Sequence, residues 1–186
     1  MPTVFKIGIW NAWLFMSVFI FQMIVIFFID KQAWKRSHVP DEASRNRLES
    51  YAGIAGNIVW LVAMIYSVFL PFRLGTVWFY VGLTVFLIGL LFITIATCNF
   101  ISTPEQLITK GVYRFSRHPM YLASFFICLG SGMAGGSWLF VLLSLMLASC
   151  FYLEALVEEK YLLSVYGNAY EDYMTGTPRV LGIFKK

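Results

Sequence analysis

The chain has 186 residues, of which 59% are hydrophobic and 13% charged, with a formal net charge of +4 and a mean hydropathy of +0.72. So few charged groups cannot clothe a water-soluble domain of this length, so lipid takes the place of water as the solvent. The positive charge requires no nucleic-acid partner, because attraction to an anionic membrane leaflet accounts for it.

Three apolar stretches come first, at 8–29, 51–70 and 76–97. Each is about 20 residues, enough helix at about 1.5 Å per residue to cross a hydrocarbon core of about 30 Å. The first exceeds the apolar core of a cleavable signal, has no small-residue cleavage site after it, and ends abruptly at Asp30-Lys31, so it reads as a span. The 30–50 connector is mixed in charge; Pro40-Asp41-Glu42 opens a short surface helix there, and His38 reads as an interfacial residue. The 98–118 connector interleaves Leu107, Ile108, Val112, Tyr113 and Phe115 with Lys110, Arg114 and Arg117, so it lies in the interface plane. Within it, Ser102 or Thr103 precedes Pro104-Glu105 as a helix N-cap with proline at the first position.

The apolar region 119–152 is too long for one span and is interrupted by GSGMAGGS at 130–137, which reads as a turn. It therefore yields two spans, 119–133 and 137–160. The last has no glycine or proline before Gly167 and so runs as one helix of about 28 residues, about 42 Å, longer than the bilayer core. Its final turns, with Glu154, Glu158, Glu159 and Lys160, project from the membrane, and Tyr166, Tyr170 and Tyr173 share one face of a short helix beyond it. The expectation is an all-α, five-span membrane protein forming one domain over 1–186, with 98–118 and 161–186 on the same side. Five spans place twelve of the fourteen lysines and arginines on that side and leave Lys6 and Arg73 on the other. The positive-inside rule then puts the N-terminus outside and the C-terminus in the cytoplasm.

Depth along the last two spans brings the unusual polar groups together. Counting outward from Met133-Ala134, Pro119 lies level with Leu153, so His118 faces Glu154 or Glu158. Taken singly, Arg117-His118-Pro119 is a helix start with a snorkelling arginine, and Glu158-Glu159 a solvated helix end. Their convergence at one cytoplasmic level points instead to a site. The donor set gives little support to metal chemistry, since there are two histidines and no two likely ligands at helical metal spacing. The three cysteines form no disulfide framework and read as packing residues. No GxGxxG follows a strand, which removes a Rossmann cofactor site.

The run Leu107…Gly111-Val112-Tyr113…Arg117-His118-Pro119-Met120-Tyr121, followed by Glu158-Glu159, Leu162, Tyr166-Gly167, Tyr170, Tyr173 and Pro178-Arg179, resembles the isoprenylcysteine carboxyl methyltransferase family, which is related to membrane phospholipid methyltransferases. The resemblance covers about residues 100–180, and the five-span length looks like a compact prokaryotic member. It implies S-adenosylmethionine as methyl donor, held at the cytoplasmic face by 98–118 and the last two spans. The implied cofactor contacts are Glu105, Gln106, Leu107, Ile108, Tyr113, His118, Pro119, Met120, Tyr121 and Glu158; Glu154 and Arg117, at the same level, are read as the catalytic residues, with no metal. The implied partners are a lipophilic small-molecule or prenylated acceptor and membrane lipid. Two departures stand out: Ala123 replaces a glycine, and Glu154 occupies the position where eukaryotic carboxyl methyltransferases carry an arginine for the acceptor carboxylate. An amine acceptor, as in a phospholipid headgroup, needs a base, a role suited to Glu154. Rival readings are an NADPH-using sterol- or isoprenoid-reductase-like protein, with Arg114 and Arg117 on the 2′-phosphate, and a non-catalytic membrane subunit.

Overall fold

A computed structural model describes residues 7–29, 46–103 and 107–181. Six α-helices account for most of them: α1 (Trp13–Ile29), α2 (Arg47–Phe69), α3 (Val77–Ile101), α4 (Pro119–Ala134), α5 (Trp138–Tyr166) and α6 (Asn168–Gly176). A short 3₁₀ turn, Gly111–Arg114, lies between α3 and α4. The expected all-helical class is what the described residues show, apart from one antiparallel bridge between Asn11 and Pro71. His38, the Pro40-Asp41-Glu42 turn, Glu105 and Gln106 lie outside the described residues.

Three of these helices, α2, α3 and α5, are long and apolar enough to cross a membrane, whereas α1 and α4 are shorter apolar helices. In the three long ones only 22%, 33% and 28% of the apolar stretch is buried, so most of it faces outward. Burying such a surface requires hydrocarbon rather than water. The inward faces form one core in which Met16 and Phe19 of α1, Ala63 and Tyr66 of α2, Phe86 of α3, Ile127 of α4 and Phe140 of α5 pack together. The Phe15 ring stacks on Phe86 at 3.8 Å between centroids.

The boundaries depart from the sequence reading for identifiable reasons. Helix α2 starts before residue 51 because Asn46 and Glu49 form a reciprocal capping box, the Asn46 side chain accepting from Glu49 N–H at 2.8 Å. Residues 8–12 are not helical; Ala12 N–H donates to Leu70 O at 2.8 Å and Phe72 N–H to Trp10 O at 2.9 Å, tying the chain start to the α2–α3 loop. Ser102 closes the C-terminus of α3, and residues 107–110 carry no helix; the Pro104-Glu105 start expected there lies outside the described residues. The turn expected over 130–137 is confined to Gly135–Ser137, since α4 continues through Ala134. Gly130 lies inside α4 because α3 presses on it; a Cβ there would stand 2.6 Å from Gly82 O and Phe86 N. Small residues at such positions let two backbones meet, as apolar solvents favour.

Consecutive helices alternate in direction, so the loops gather at two ends. One end holds residues 8–12, 70–76 and 134–138, stitched by Arg73 N–H to Ala134 O at 2.9 Å. The other gathers the 3₁₀ turn, the start of α4, the end of α5, α6 and the segment 177–181.

Candidate active site

Helix α4 begins at Pro119, whose fixed φ and missing N–H suit the first helical position. His118 is its N-cap and places the imidazole against the last turns of α5. There the Nδ1 atom lies 3.2 Å from Glu158 Oε2, and Nε2 lies 3.2 Å from Glu159 Oε1. A carboxylate oxygen can only accept, so two such partners hold a proton on each ring nitrogen. Burial opposes the imidazolium, but the bonds to Glu158 and Glu159 outweigh it and raise the His118 pKa above its ordinary value. The ring also stacks on Tyr121 at 5.5 Å, which in turn stacks on Phe151 at 5.1 Å.

Glu159 is the hub of this cluster. Arg179 grips it bidentately, Nε to Oε1 at 2.9 Å and Nη2 to Oε2 at 2.7 Å, and Arg117 Nη2 stands 3.4 Å from Oε1. The remaining Arg179 nitrogen donates to the Tyr152 hydroxyl at 2.9 Å. The backbone reinforces the arrangement: Arg117 N–H donates to Pro178 O at 2.9 Å, and Ser116 Oγ to Arg179 O at 3.1 Å. Gly167, at φ +53°, makes the break that folds α6 back towards this level, a conformation other residues adopt at a cost. Tyr173 then donates to Tyr113 O at 2.6 Å, and Tyr170 is buried with its hydroxyl unpartnered. Burial first, and the nearby Glu158 second, push the Tyr113 phenol well above its ordinary pKa, so it stays protonated.

A cavity of about 250 Å³ opens between α4 and α5, walled by Tyr121, Phe125, Phe151 and Tyr152 and closed at its polar end by His118 and Arg179. The structure thus gathers Tyr113, His118, Pro119, Tyr121 and Glu158 at one level, with Met120 in the first turn of α4. Leu107 and Ile108 are half-buried in the connector. His118 meets Glu158 and Glu159 rather than Glu154. Glu154 stands one helical turn before Glu158, and also one turn after Cys150, whose Cβ faces Gly56 of α2. Sequence reasoning passed over Glu159, Arg179 and Tyr152 as site residues. Glu159 had a signal, being half of an adjacent acidic pair, but its inward direction depends on the helical phase of α5. Arg179 arrives only through the fold of 167–179.

Two comparisons bear on this arrangement. A family model described as phospholipid methyltransferase matches residues 72–169, over half of the chain and all of α3 to α5. The chain is also similar to a protein-S-isoprenylcysteine O-methyltransferase of Schizosaccharomyces pombe (strain 972 / ATCC 24843), with 40% identity over 73 residues. That similarity takes in 39% of this chain and spans 31% of the relative's length.

Proposed function

The chain belongs to the phospholipid methyltransferase family, and from that premise we propose that it is a five-span membrane enzyme transferring a methyl group from S-adenosylmethionine to a lipophilic acceptor. The observation that carries the reading is the half-open carboxylate of Glu158 at the uncapped start of α4. The Glu158 side chain is 31% exposed, with one oxygen on His118 and the other unengaged among the described residues. No side chain caps α4; Pro119 has no N–H and Leu122 N–H already donates to His118 O, so the Met120 and Tyr121 amides are the donors that remain for an anionic group. These residues fit the cofactor: a carboxylate for ribose hydroxyls or an ammonium, amides for a carboxylate, and the Tyr113 ring, with Tyr121 at the edge of the cavity, for adenine or a sulfonium. Glu105, Gln106, Leu107 and Ile108 complete the contacts we assign to it.

S-adenosylmethionine, when bound, supplies a methyl carbon on a sulfonium, open to direct displacement. The chain's own residues bind and orient. His118, held charged between two carboxylates, fixes the Glu158 side chain, and Arg117 fixes Glu159 from behind. The α4–α5 cavity takes the apolar part of the acceptor and excludes water around the reacting atom. A carboxylate acceptor is already ionised and needs only positioning. An amine acceptor must first lose a proton, and Glu154, one turn from Glu158, is the base we assign to that case. The S. pombe relative's name favours a prenylcysteine carboxylate and the family description a phospholipid amine. Methyl transfer to a prenylcysteine and to phosphatidylethanolamine, measured side by side, separates the two.

Calorimetric titration of the detergent-purified protein with S-adenosylhomocysteine and with NADPH tests the core of the reading. S-adenosylhomocysteine should bind, and Glu158→Gln should weaken it about 10–150-fold, the loss of one charged hydrogen bond of about 1.5–3 kcal/mol. Binding of NADPH instead would move the protein to reductase chemistry, and binding of neither would leave an interface cluster without a cofactor.

A further inference from the structure

Three buried side-chain atoms among the described residues have no hydrogen-bond partner: Asn99 Nδ2, Arg117 Nε and the Tyr170 hydroxyl. Buried polar groups are almost always partnered, so each such atom calls for a reason. Asn99 lies beneath Gly111; the other two belong together at the start of α4. We propose that Arg117 and the Tyr170 hydroxyl hold the α-carboxylate of the cofactor's amino-acid group, while the open oxygen of Glu158 takes its ammonium. The assignment rests on the methyltransferase reading and specifies which half of the ligand lies there.

The Arg117 side chain is only 10% exposed, and its Nη2 stands 3.4 Å from Glu159 Oε1, outside the usual range of an N–H···O bond. That oxygen already accepts from Arg179 Nε at 2.9 Å and from His118 Nε2 at 3.2 Å, and Arg179 Nη2 holds the other oxygen at 2.7 Å. Glu159 therefore attracts Arg117 by charge and leaves its Nε as a donor for an incoming oxygen. Tyr170 is 1% exposed. Burial first, and then the Glu159 and Glu158 charges, raise its phenol above the ordinary pKa, while the Arg117 charge opposes the rise. The four side chains are thus close neighbours. Arg117 directly precedes the N-cap of α4, and its own N–H is anchored on Pro178 O at 2.9 Å. Helix α6, which carries Tyr170, folds back at Gly167 and is held by the Tyr173 hydroxyl on Tyr113 O at 2.6 Å. That helix is the part that yields to admit the ligand.

Chemistry selects the occupant. A guanidinium favours a carboxylate over a neutral acceptor, and a phenol can donate to the same group. Glu158, across the His118 ring from Glu159, can only accept and so calls for a donor. An α-amino acid carries one group of each kind on a single carbon. Ribose hydroxyls would satisfy Glu158 and leave Arg117 and Tyr170 as they stand, and a phosphate would meet Glu158 as a like charge.

Calorimetric titration of the detergent-purified protein with S-adenosylhomocysteine and with its decarboxylated analogue, which keeps the ammonium, tests this. The unmodified protein should bind S-adenosylhomocysteine tighter by about ten-fold or more, the worth of one charge-assisted hydrogen bond. Arg117→Gln should bring that ratio close to one, and Arg117→Lys should restore part of it. Tyr170→Phe loses only an unpartnered hydroxyl and so should fold; it should weaken S-adenosylhomocysteine several-fold and leave the analogue unchanged. Glu158→Gln should weaken both ligands alike, since both carry the ammonium. Equal affinity for the two ligands in the unmodified protein overturns the proposal and leaves the methyltransferase reading intact. A preference that survives in full in Tyr170→Phe, or in a folded Arg117→Gln, overturns it too. Binding of neither ligand by the unmodified protein removes the reading and the assignment together.

Discussion

Glu159 shows how much one side chain can determine. Its carboxylate is 8% exposed and simultaneously engages Arg179, His118 and Arg117, three groups drawn from the tail and the connector before α4. Glu159→Gln would leave two guanidinium groups facing a neutral amide. Removing one partner from such a buried cluster costs about 3 kcal/mol, and thermal unfolding in detergent should register a loss of that order. Glu158→Gln, whose side chain is 31% exposed, should cost much less stability, and that contrast separates the structural carboxylate from the one we assign to the cofactor. His118 adds a pH dependence. Its folded-state pKa is raised by the two glutamates, so its stabilising contribution is complete below the ordinary value of about 6.5 and is lost as pH rises through the higher folded value. The difference in unfolding temperature between the unmodified protein and His118→Gln should therefore shrink from about pH 6 towards alkaline pH. A difference that stayed constant or grew would sink the imidazolium assignment. The Arg117-His118-Pro119 and Glu158-Glu159 elements were legible in the sequence because proline and an acidic pair beside apolar runs stand out. Which of the two glutamates turns inward was not, because a tilt of α5 by a fraction of a turn exchanges them.

The α3–α4 pair carries the opposite lesson for glycine. Read along the chain, GSGMAGGS is turn chemistry, yet only its last three residues turn. Gly130 serves α4 as a contact position for α3, which approaches through Gly82 and Gly89, and Gly132 as one for α5; a Cβ on Gly89 would stand 2.9 Å from Ile127 N and one on Gly132 3.0 Å from Val141 N. Local composition cannot distinguish a glycine that bends the backbone from one that admits another backbone. Gly130→Ala should force α3 and α4 apart and destabilise by about 1–3 kcal/mol, measurable as a lower unfolding temperature. An alanine accepted without loss would show that the two helices do not meet there. The same element-scale logic explains the early start of α2, where the sequence Asn46-Arg47-Leu48-Glu49 carries the capping box in plain view. Ser102 terminates α3, and residues 107–110 carry no helix.

At the scale of the whole molecule, charge and connectivity agree. Of the described basic residues, Arg47, Lys110, Arg114, Arg117, Lys160 and Arg179 lie at the end that holds the candidate site, and Arg73 lies at the other. The Lys160–Glu49 ion pair joins α5 to α2 at that same basic end. Apolar run lengths made the helical class and the approximate number of helices readable, since a 23-, 25- or 29-residue apolar helix has few other uses. The tail's route was not readable, because it depends on one positive-φ glycine and on carbonyls of 178 and 179 meeting the backbone and hydroxyl of residues 117 and 116. Five passes with the basic end in the cytoplasm require the 70–76 loop and the C-terminus to lie on opposite sides of the membrane. A fluorescent-protein fusion at the C-terminus should then fluoresce, and a phosphatase fused after Leu74 should be active, because the two reporters fold on opposite sides. An active phosphatase at the C-terminus would invert the orientation or remove one pass. Either result would place the Arg117–Glu159–Arg179 cluster where cytoplasmic S-adenosylmethionine cannot reach it, so this experiment bears on the chemistry as directly as on the topology.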